Sequence, residues 1–225
     1  MELPIIVDNE TRWLELKRGK FSASQINRLM TEPKDKSQLM SEGARTYIDE
    51  VAAEHLTDKQ KDAVLNNAMQ RGKDEEPAAF AALCEHMGWD LNDLNIQQYG
   101  VQVYGIYKMG LYCCASPDGI NLNDNSIIEI KCPDSATHLK YLRLLDANDV
   151  LKKKAVYYDQ MQLNILLSGA DKAWFVSYDS RYLDDKLKLK IIEVPKDEER
   201  ISMLISKIEK AIVELLQIIN QPLIK

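Results

Sequence analysis

Ser116-Pro117-Asp118-Gly119 and, one turn later, Ser126-Ile127-Ile128-Glu129-Ile130-Lys131-Cys132-Pro133 decide how this chain is read. The second stretch is rich in β-branched residues. It is bounded by Pro133 and by the turn signal Asn123-Asp124-Asn125. On a strand, residues two apart share a face. Glu129 and Lys131 therefore project together, and Ile128 and Ile130 project to the other side. If Asp118 ends the preceding hairpin strand, three ionisable groups converge beside a half-buried sheet. Two carboxylates are costly to bury there without a cation. Hard divalent ions with oxygen ligands, above all magnesium, resolve that cost. In this reading Asp118 and Glu129 hold the metal, with the Ile130 carbonyl as a further ligand. The metal polarises a phosphoryl oxygen and acidifies a bound water, and Lys131 stabilises the developing charge. That kit suits phosphodiester hydrolysis. A surface ion pair between strand neighbours is the alternative.

Outward from this segment, the pattern predicts an α/β fold with one central, mixed or antiparallel sheet flanked by helices. Residues 1–88 read as mainly helical, 97–194 as the sheet core with its helices, and 197–220 as a C-terminal helix. Helical spacing predicts helices over 22–30, 41–56 and 62–86, the last kinked or restarted at Pro77. Residues 31–40 read as a polar loop. Strands are expected over 99–104, 109–115 and 126–132 as a meander, then helices over 135–145 and 151–167. Two further strands are expected over 174–178 and 187–194. Lys152-Lys153-Lys154 would open the 151–167 helix, where cations oppose the macrodipole. Lys186, Lys188 and Lys190 would line an exposed strand face.

Composition narrows the classes. The chain has 225 residues, 45% hydrophobic and 28% charged, as expected of a globular protein rather than a disordered one. No apolar run is long enough to span a bilayer, and the N-terminus lacks the pattern of a secretory signal. The formal net charge of −6 argues against a protein that coats nucleic acid, though not against a local basic channel. Cys84, Cys113, Cys114 and Cys132 have neither zinc-site nor disulfide-framework spacing, and the three histidines are dispersed. Reduced thiols in a cytoplasmic protein are the expectation.

The flanks of the central motif resemble the PD-(D/E)xK nuclease superfamily. More narrowly, they resemble the phage lambda exonuclease and YqaJ group of viral recombination exonucleases. The landmarks occur in order: Trp13, Gly19 and Ser22-Ala23-Ser24; Gly72-Lys73-Asp74-Glu75-Glu76; Ser116 to Gly119; Glu129 to Pro133; Tyr157 to Gln162; and Ala173-Trp174 through Arg181. The resemblance implies a restriction-endonuclease-like core. It assigns Asp118 and Glu129 as metal ligands, Lys131 as the catalytic lysine and Glu76, in preference to Glu75, as a helical acid serving a second ion. It also assigns Gln160, with Gln162 as rival, as the glutamine that orients lysine and water. A 5′-phosphate pocket is implied at Ser24, Ser116 and Lys17 or Arg18. The family has an arginine where this chain has Lys17, and lysine lacks the bidentate fork. Apart from the resemblance, Lys34 and Lys36 in the polar loop would grip the second strand; Met69 stands where the family places an apolar wedge, or else is a core residue.

The resemblance further implies a magnesium-dependent enzyme, with two ions and manganese as a possible substitute. It would degrade the 5′-terminated strand of double-stranded DNA ends to mononucleotides and leave 3′ overhangs. A homotrimeric ring, a single-strand annealing partner and a phage or prophage origin in a bacterial cytoplasm are implied as well. Two other readings remain: a different nuclease of the superfamily, endonucleolytic or helicase-associated, and a non-catalytic DNA-end-binding adaptor.

Overall fold

The computed structural model describes residues 1–57, 67–100 and 103–220, with the side chains of 67–69 left aside. Instead of one central sheet there are two. The first has four strands in the order β1-β4-β5-β2, comprising β1 (Ile5–Val7), β2 (Phe21–Ser22), β4 (Tyr104–Met109) and β5 (Cys113–Ala115). The second has five in the order β3-β6-β7-β8-β9, comprising β3 (Ile96–Gln98), β6 (Gly119–Asn121), β7 (Ser126–Lys131), β8 (Lys172–Tyr178) and β9 (Leu189–Pro195). The chain changes sheet at Ser116-Pro117-Asp118. Pro117 has no N–H to give to a ladder, so pairing is interrupted there. Gly119 is required at the same place, because a Cβ would lie 2.7 Å from the Phe80 ring and 2.9 Å from the Gln97 carbonyl.

The centre of the larger sheet is covered on both faces. Ile128 and Ile130 of β7 pack with Phe80 and Leu83 of α3 (Asn67–Met87) and with Trp174 and Val176 of β8. On the other face, Ile127 and Phe175 meet Tyr141 of α4 (Ser135–Leu142), Val150 of α5 (Ala147–Lys153), and Tyr158 and Met161 of α6 (Ala155–Ser168). β7 and β8 are parallel neighbours, and α4 to α6 form the crossover that such a pair needs. Full burial of each large side chain contributes roughly 1.5–3 kcal/mol. A second core joins Phe21, Ile26 and Leu29, around the 3-10 helix Ala23–Met30, to Ile48 of α2 (Glu42–Leu56) and Leu204 and Ile208 of α7 (Glu198–Asn220).

The local signals explain most helix boundaries. Ser41 accepts from the Ala44 N–H at 3.1 Å and starts α2. Gly169, at φ 70°, closes α6. Other expectations change. α3 runs unbroken through Pro77, whose ring is exposed, so water can reach the carbonyl it leaves unbonded; residues 62–66 lie outside the description. The 151–167 helix is two helices, broken at Lys154 (φ −143°, ψ 47°). Lys152 and Lys153 therefore end α5, where cations favour the macrodipole. β9 begins at Leu189, so Lys186 and Lys188 precede it, and Lys188 pairs with Asp185 at 2.7 Å. The strand expected over 99–104 is replaced by β3 and the start of β4, with 101–102 outside the description. No described helix is long and apolar enough to cross a membrane.

Candidate active site

Glu129 is the anomaly of β7. It is 0% exposed, in a strand whose other buried side chains are apolar or small. Its Oε1 accepts from Lys131 Nζ at 2.5 Å and its Oε2 from Asn164 Nδ2 at 3.1 Å. The alternation of β7 thus turns Glu129 and Lys131 toward α6, while Ile128 and Ile130 turn toward α3. β6 and β7 are antiparallel with Gly119 opposite Ile128. One further step sets Asp118 opposite Glu129, the position of a cross-strand pair on one face. Asp118 Oδ2 accepts from the Ile130 N–H at 2.6 Å. The face of α6 supplies the rest. The Tyr157 ring centre lies 5.1 Å from Lys131 Nζ, and Gln160, 7% exposed, shares that helical face with Asn164.

Gln162 is committed elsewhere: it donates to the Pro195 carbonyl and accepts from the Asp197 N–H, both at 2.9 Å. Glu75 is likewise drawn away, accepting from the Ser180 hydroxyl at 3.1 Å. Glu76 instead borders a cleft of about 120 Å³ together with Asp118, Ser116, Trp13, Lys73 and Tyr104. A larger hollow, about 520 Å³ between Met40 and the outer side of α7, contains none of these groups.

Electrostatics sets this cluster apart. Burial pushes the Glu76 carboxyl up to about 8, and the nearby Asp118 and Glu129 push in the same direction. Burial pushes Glu129 up to about 7 despite the pull of Lys131, and Asp118 is raised for the same reason. Burial opposes the charge on Lys131, yet Glu129 and Asp118 hold its amine above the ordinary lysine range. Burial lowers Lys17 (at the end of α1, Glu10–Lys17), and Cys114, Asp118 and Glu129 work against that lowering. Among the described residues, no three His, Cys, Asp or Glu side chains stand close enough together to cage a metal. The donor chemistry nevertheless fits a hard cation. Burial raises all three acids, repulsion adds to the rise of Glu76 and Glu129, Lys131 and Lys17 are the nearby amines, and all the acid donors are oxygens.

The remaining predicted residues are scattered more widely. Lys17 Nζ lies 4.0 Å from the Trp13 ring centre, and Trp13 Nε1 donates to Ser116 Oγ at 2.9 Å. The Ser116 hydroxyl itself donates to the Gly105 carbonyl. Arg18 points away: its guanidinium donates to the Glu54 carbonyl at 3.1 Å and to the Thr57 carbonyl, closing the end of α2. Ser24 is exposed beside the Ser22 hydroxyl at 3.2 Å, and Lys34 is exposed in the 31–41 loop. Met69 belongs to α3, but its side chain lies outside the description. Ile130 brings its N–H to Asp118 and its side chain to the α3 core. Asn164 was not anticipated from sequence. Its i+4 spacing from Gln160 was the available signal.

The fold is that of nucleases of the lambda-exonuclease-like family. Within it, the chain belongs to the YqaJ-like viral recombinase domain family, whose model matches residues 12–171. A crystal structure of an alkaline exonuclease from Laribacter hongkongensis is similar at 27% identity and a TM-score of 0.72, covering 93% of this chain and 94% of that one. The same enzyme in complex with dAMP matches with a TM-score of 0.69, again at 27% identity and with the same coverage. A phage-related exonuclease from Haemophilus somnus 129PT shares the fold, with a TM-score of 0.71 at 17% identity, covering 92% of this chain and 98% of that one. No curated protein matches the chain by sequence.

Proposed function

We propose that the protein is a magnesium-dependent exonuclease of the PD-(D/E)xK type. It removes nucleotides from the 5′-terminated strand of double-stranded DNA ends and leaves a 3′ overhang for strand annealing. The observation that carries this reading is Glu129, wholly buried, bonded to Lys131 and set across from Asp118. A buried acid with one amine partner, next to a second acid, suits a cation-binding catalytic centre better than a surface ion pair.

Asp118 and Glu129, with the Ile130 carbonyl, would hold one divalent ion, and Glu76 would serve a second. When bound, magnesium, or manganese in its place, supplies Lewis acidity at the scissile phosphate and an acidified water. Lys131 holds its proton throughout the neutral range and places positive charge where the phosphate gains negative charge. Gln160 orients Lys131 and the attacking water from α6. Lys17, over Trp13, receives the 5′-phosphate together with Ser116 and Ser24; Arg18 is spent on α2. For Ser116 to donate to a phosphate, its hydroxyl must turn from the Gly105 carbonyl. Lys34 grips the second strand. Burial raises the carboxyls of Glu76 and Glu129, so protons would compete with a cation for them and divalent-ion affinity would weaken as pH falls below neutrality.

A homotrimeric ring around DNA would keep an acidic protein on its substrate through topology instead of a broad basic surface. A single-strand annealing protein would load on the exposed strand, in the cytoplasm of a bacterium carrying the phage or prophage. The test is incubation of linear duplexes labelled at either end, and of a closed circle, with and without magnesium. The expected result is metal-dependent release from the 5′ end of the linear duplex and an intact circle. A cut circle would favour an endonuclease. Absence of release with any divalent ion would leave a DNA-end binder.

A further inference from the structure

α6 is buried nearly all round, and it carries an unusual load of polar side chains into the interior: Asp159, Gln160, Gln162, Asn164 and Ser168. A buried polar group is costly unless its hydrogen bonds are made. Most of this set meets that demand structurally. Both Asp159 oxygens accept from Arg200, at 2.5 and 2.8 Å, and Asn27 Nδ2 donates to Oδ2 at 2.6 Å. Gln162 uses both ends of its amide on the segment leading into α7, and Ser168 donates to the Asn164 carbonyl at 2.7 Å.

Gln160 keeps some contact with solvent, and Asn164 is the exception among the wholly enclosed ones. Its side chain is 0% exposed, its Oδ1 has no partner, and the one bond its amide makes runs to Glu129 Oε2. An orphaned buried acceptor costs roughly 1–3 kcal/mol. A leucine of similar volume would avoid that cost. What the amide gains in return is control of Glu129. Lys131 takes Oε1 and Asn164 takes Oε2, so each oxygen is held by a different side chain from a different element. Two anchors on one carboxylate fix its plane and the direction of its remaining lone pairs.

We infer that Asn164 is a positioning residue of the site, an amide that sets the orientation in which Glu129 meets a divalent ion. The inference rests on the reading of Glu129 as a metal-holding acid. Partners that orient a metal ligand from outside the coordination sphere are worth 10–100-fold in metal affinity or activity.

The experiment is calorimetric titration of the DNA-free, full-length protein with Mn2+, in the parent and in Asn164→Leu, Asn164→Ala and Glu129→Gln, with metal-free thermal melts and steady-state kinetics alongside. Asn164→Leu should melt no lower than the parent, bind Mn2+ at least about 10-fold more weakly, and lose kcat at an unchanged KM for DNA. If Asn164→Leu does not fold, Asn164→Ala should show the same loss of affinity. Unchanged Mn2+ affinity and kcat in a folded variant would overturn the inference. Failure of both Asn164 variants to fold would assign the residue to the core and overturn it equally. Glu129→Gln separates the two levels. If it binds Mn2+ as the parent does, the metal reading itself falls. If it loses Mn2+ while the Asn164 variants keep it, only the positioning role falls.

Discussion

Lys131→Met keeps the aliphatic stem and removes the amine that faces Glu129. Glu129 is wholly buried, so the loss of its partner leaves a charge without compensation. Breaking a buried pair in this way costs roughly 3–5 kcal/mol if the remaining ion must stay charged. A carboxyl has an escape, which is to bind a proton. With Lys131 present, burial already pushes Glu129 up to about 7 from an ordinary 4.5. Between those values the folded state holds more protons at Glu129 than the unfolded one, so the contribution of Glu129 to parental stability falls with rising pH and then levels off above 7. Lys131 titrates above its ordinary range and contributes evenly across the same window. Without it Glu129 stays protonated to higher pH, and the decline continues. The two proteins should therefore diverge by about 1.4 kcal/mol per pH unit above 7, or about 2 kcal/mol at pH 8.5. Urea unfolding in EDTA at pH 6, 7 and 8.5 reads this directly. The added change Glu129→Gln should abolish the divergence. A stability difference that does not depend on pH, or one that survives in the double variant, would refute the account of the pair.

Other outcomes follow from the same geometry. Asp118→Asn and Glu129→Gln should each abolish metal-dependent cleavage while leaving the circular dichroism spectrum intact; parental turnover in either would remove that acid from the site. Lys17→Ala should erase faster degradation of 5′-phosphorylated over 5′-hydroxyl duplexes, as followed by release of an end label. Arg18→Ala should retain that preference and lose about 1 kcal/mol of stability at the end of α2; the reverse pattern would exchange their roles. Asp159→Ala leaves Arg200 without its buried partner and should cost roughly 3–5 kcal/mol in denaturant melts; a cost below 1 kcal/mol would mean that the pair does not anchor α6.

The parts of this fold that were legible in the sequence are those fixed by local chemistry. The period of two in β7 sorted Glu129 and Lys131 from Ile128 and Ile130, and helical apolar spacing marked α2. Features fixed by distant contacts were not legible. β1 finds its partner in Ile106 and its neighbours, and β2 finds its own in Cys113 and Cys114; strands this short carry no periodicity of their own. The break at Lys154 has neither glycine nor proline to announce it. The choice between Lys17 and Arg18 turns on which way the last turn of α1 faces, and the choice between Glu75 and Glu76 on where α3 meets the loop after β8. Asn164 escaped because a mid-helix asparagine within an apolar run looks like any tolerated polar residue until its neighbour proves to be a buried carboxylate.

Everything functional depends on Asp118 and Glu129 sharing a divalent ion. Crystals soaked in Mn2+ and measured at the manganese absorption edge test that most directly. The account predicts an anomalous peak within coordinating distance of both carboxylates and of the Ile130 carbonyl. A peak elsewhere on the protein, with those two acids free of metal, would contradict it.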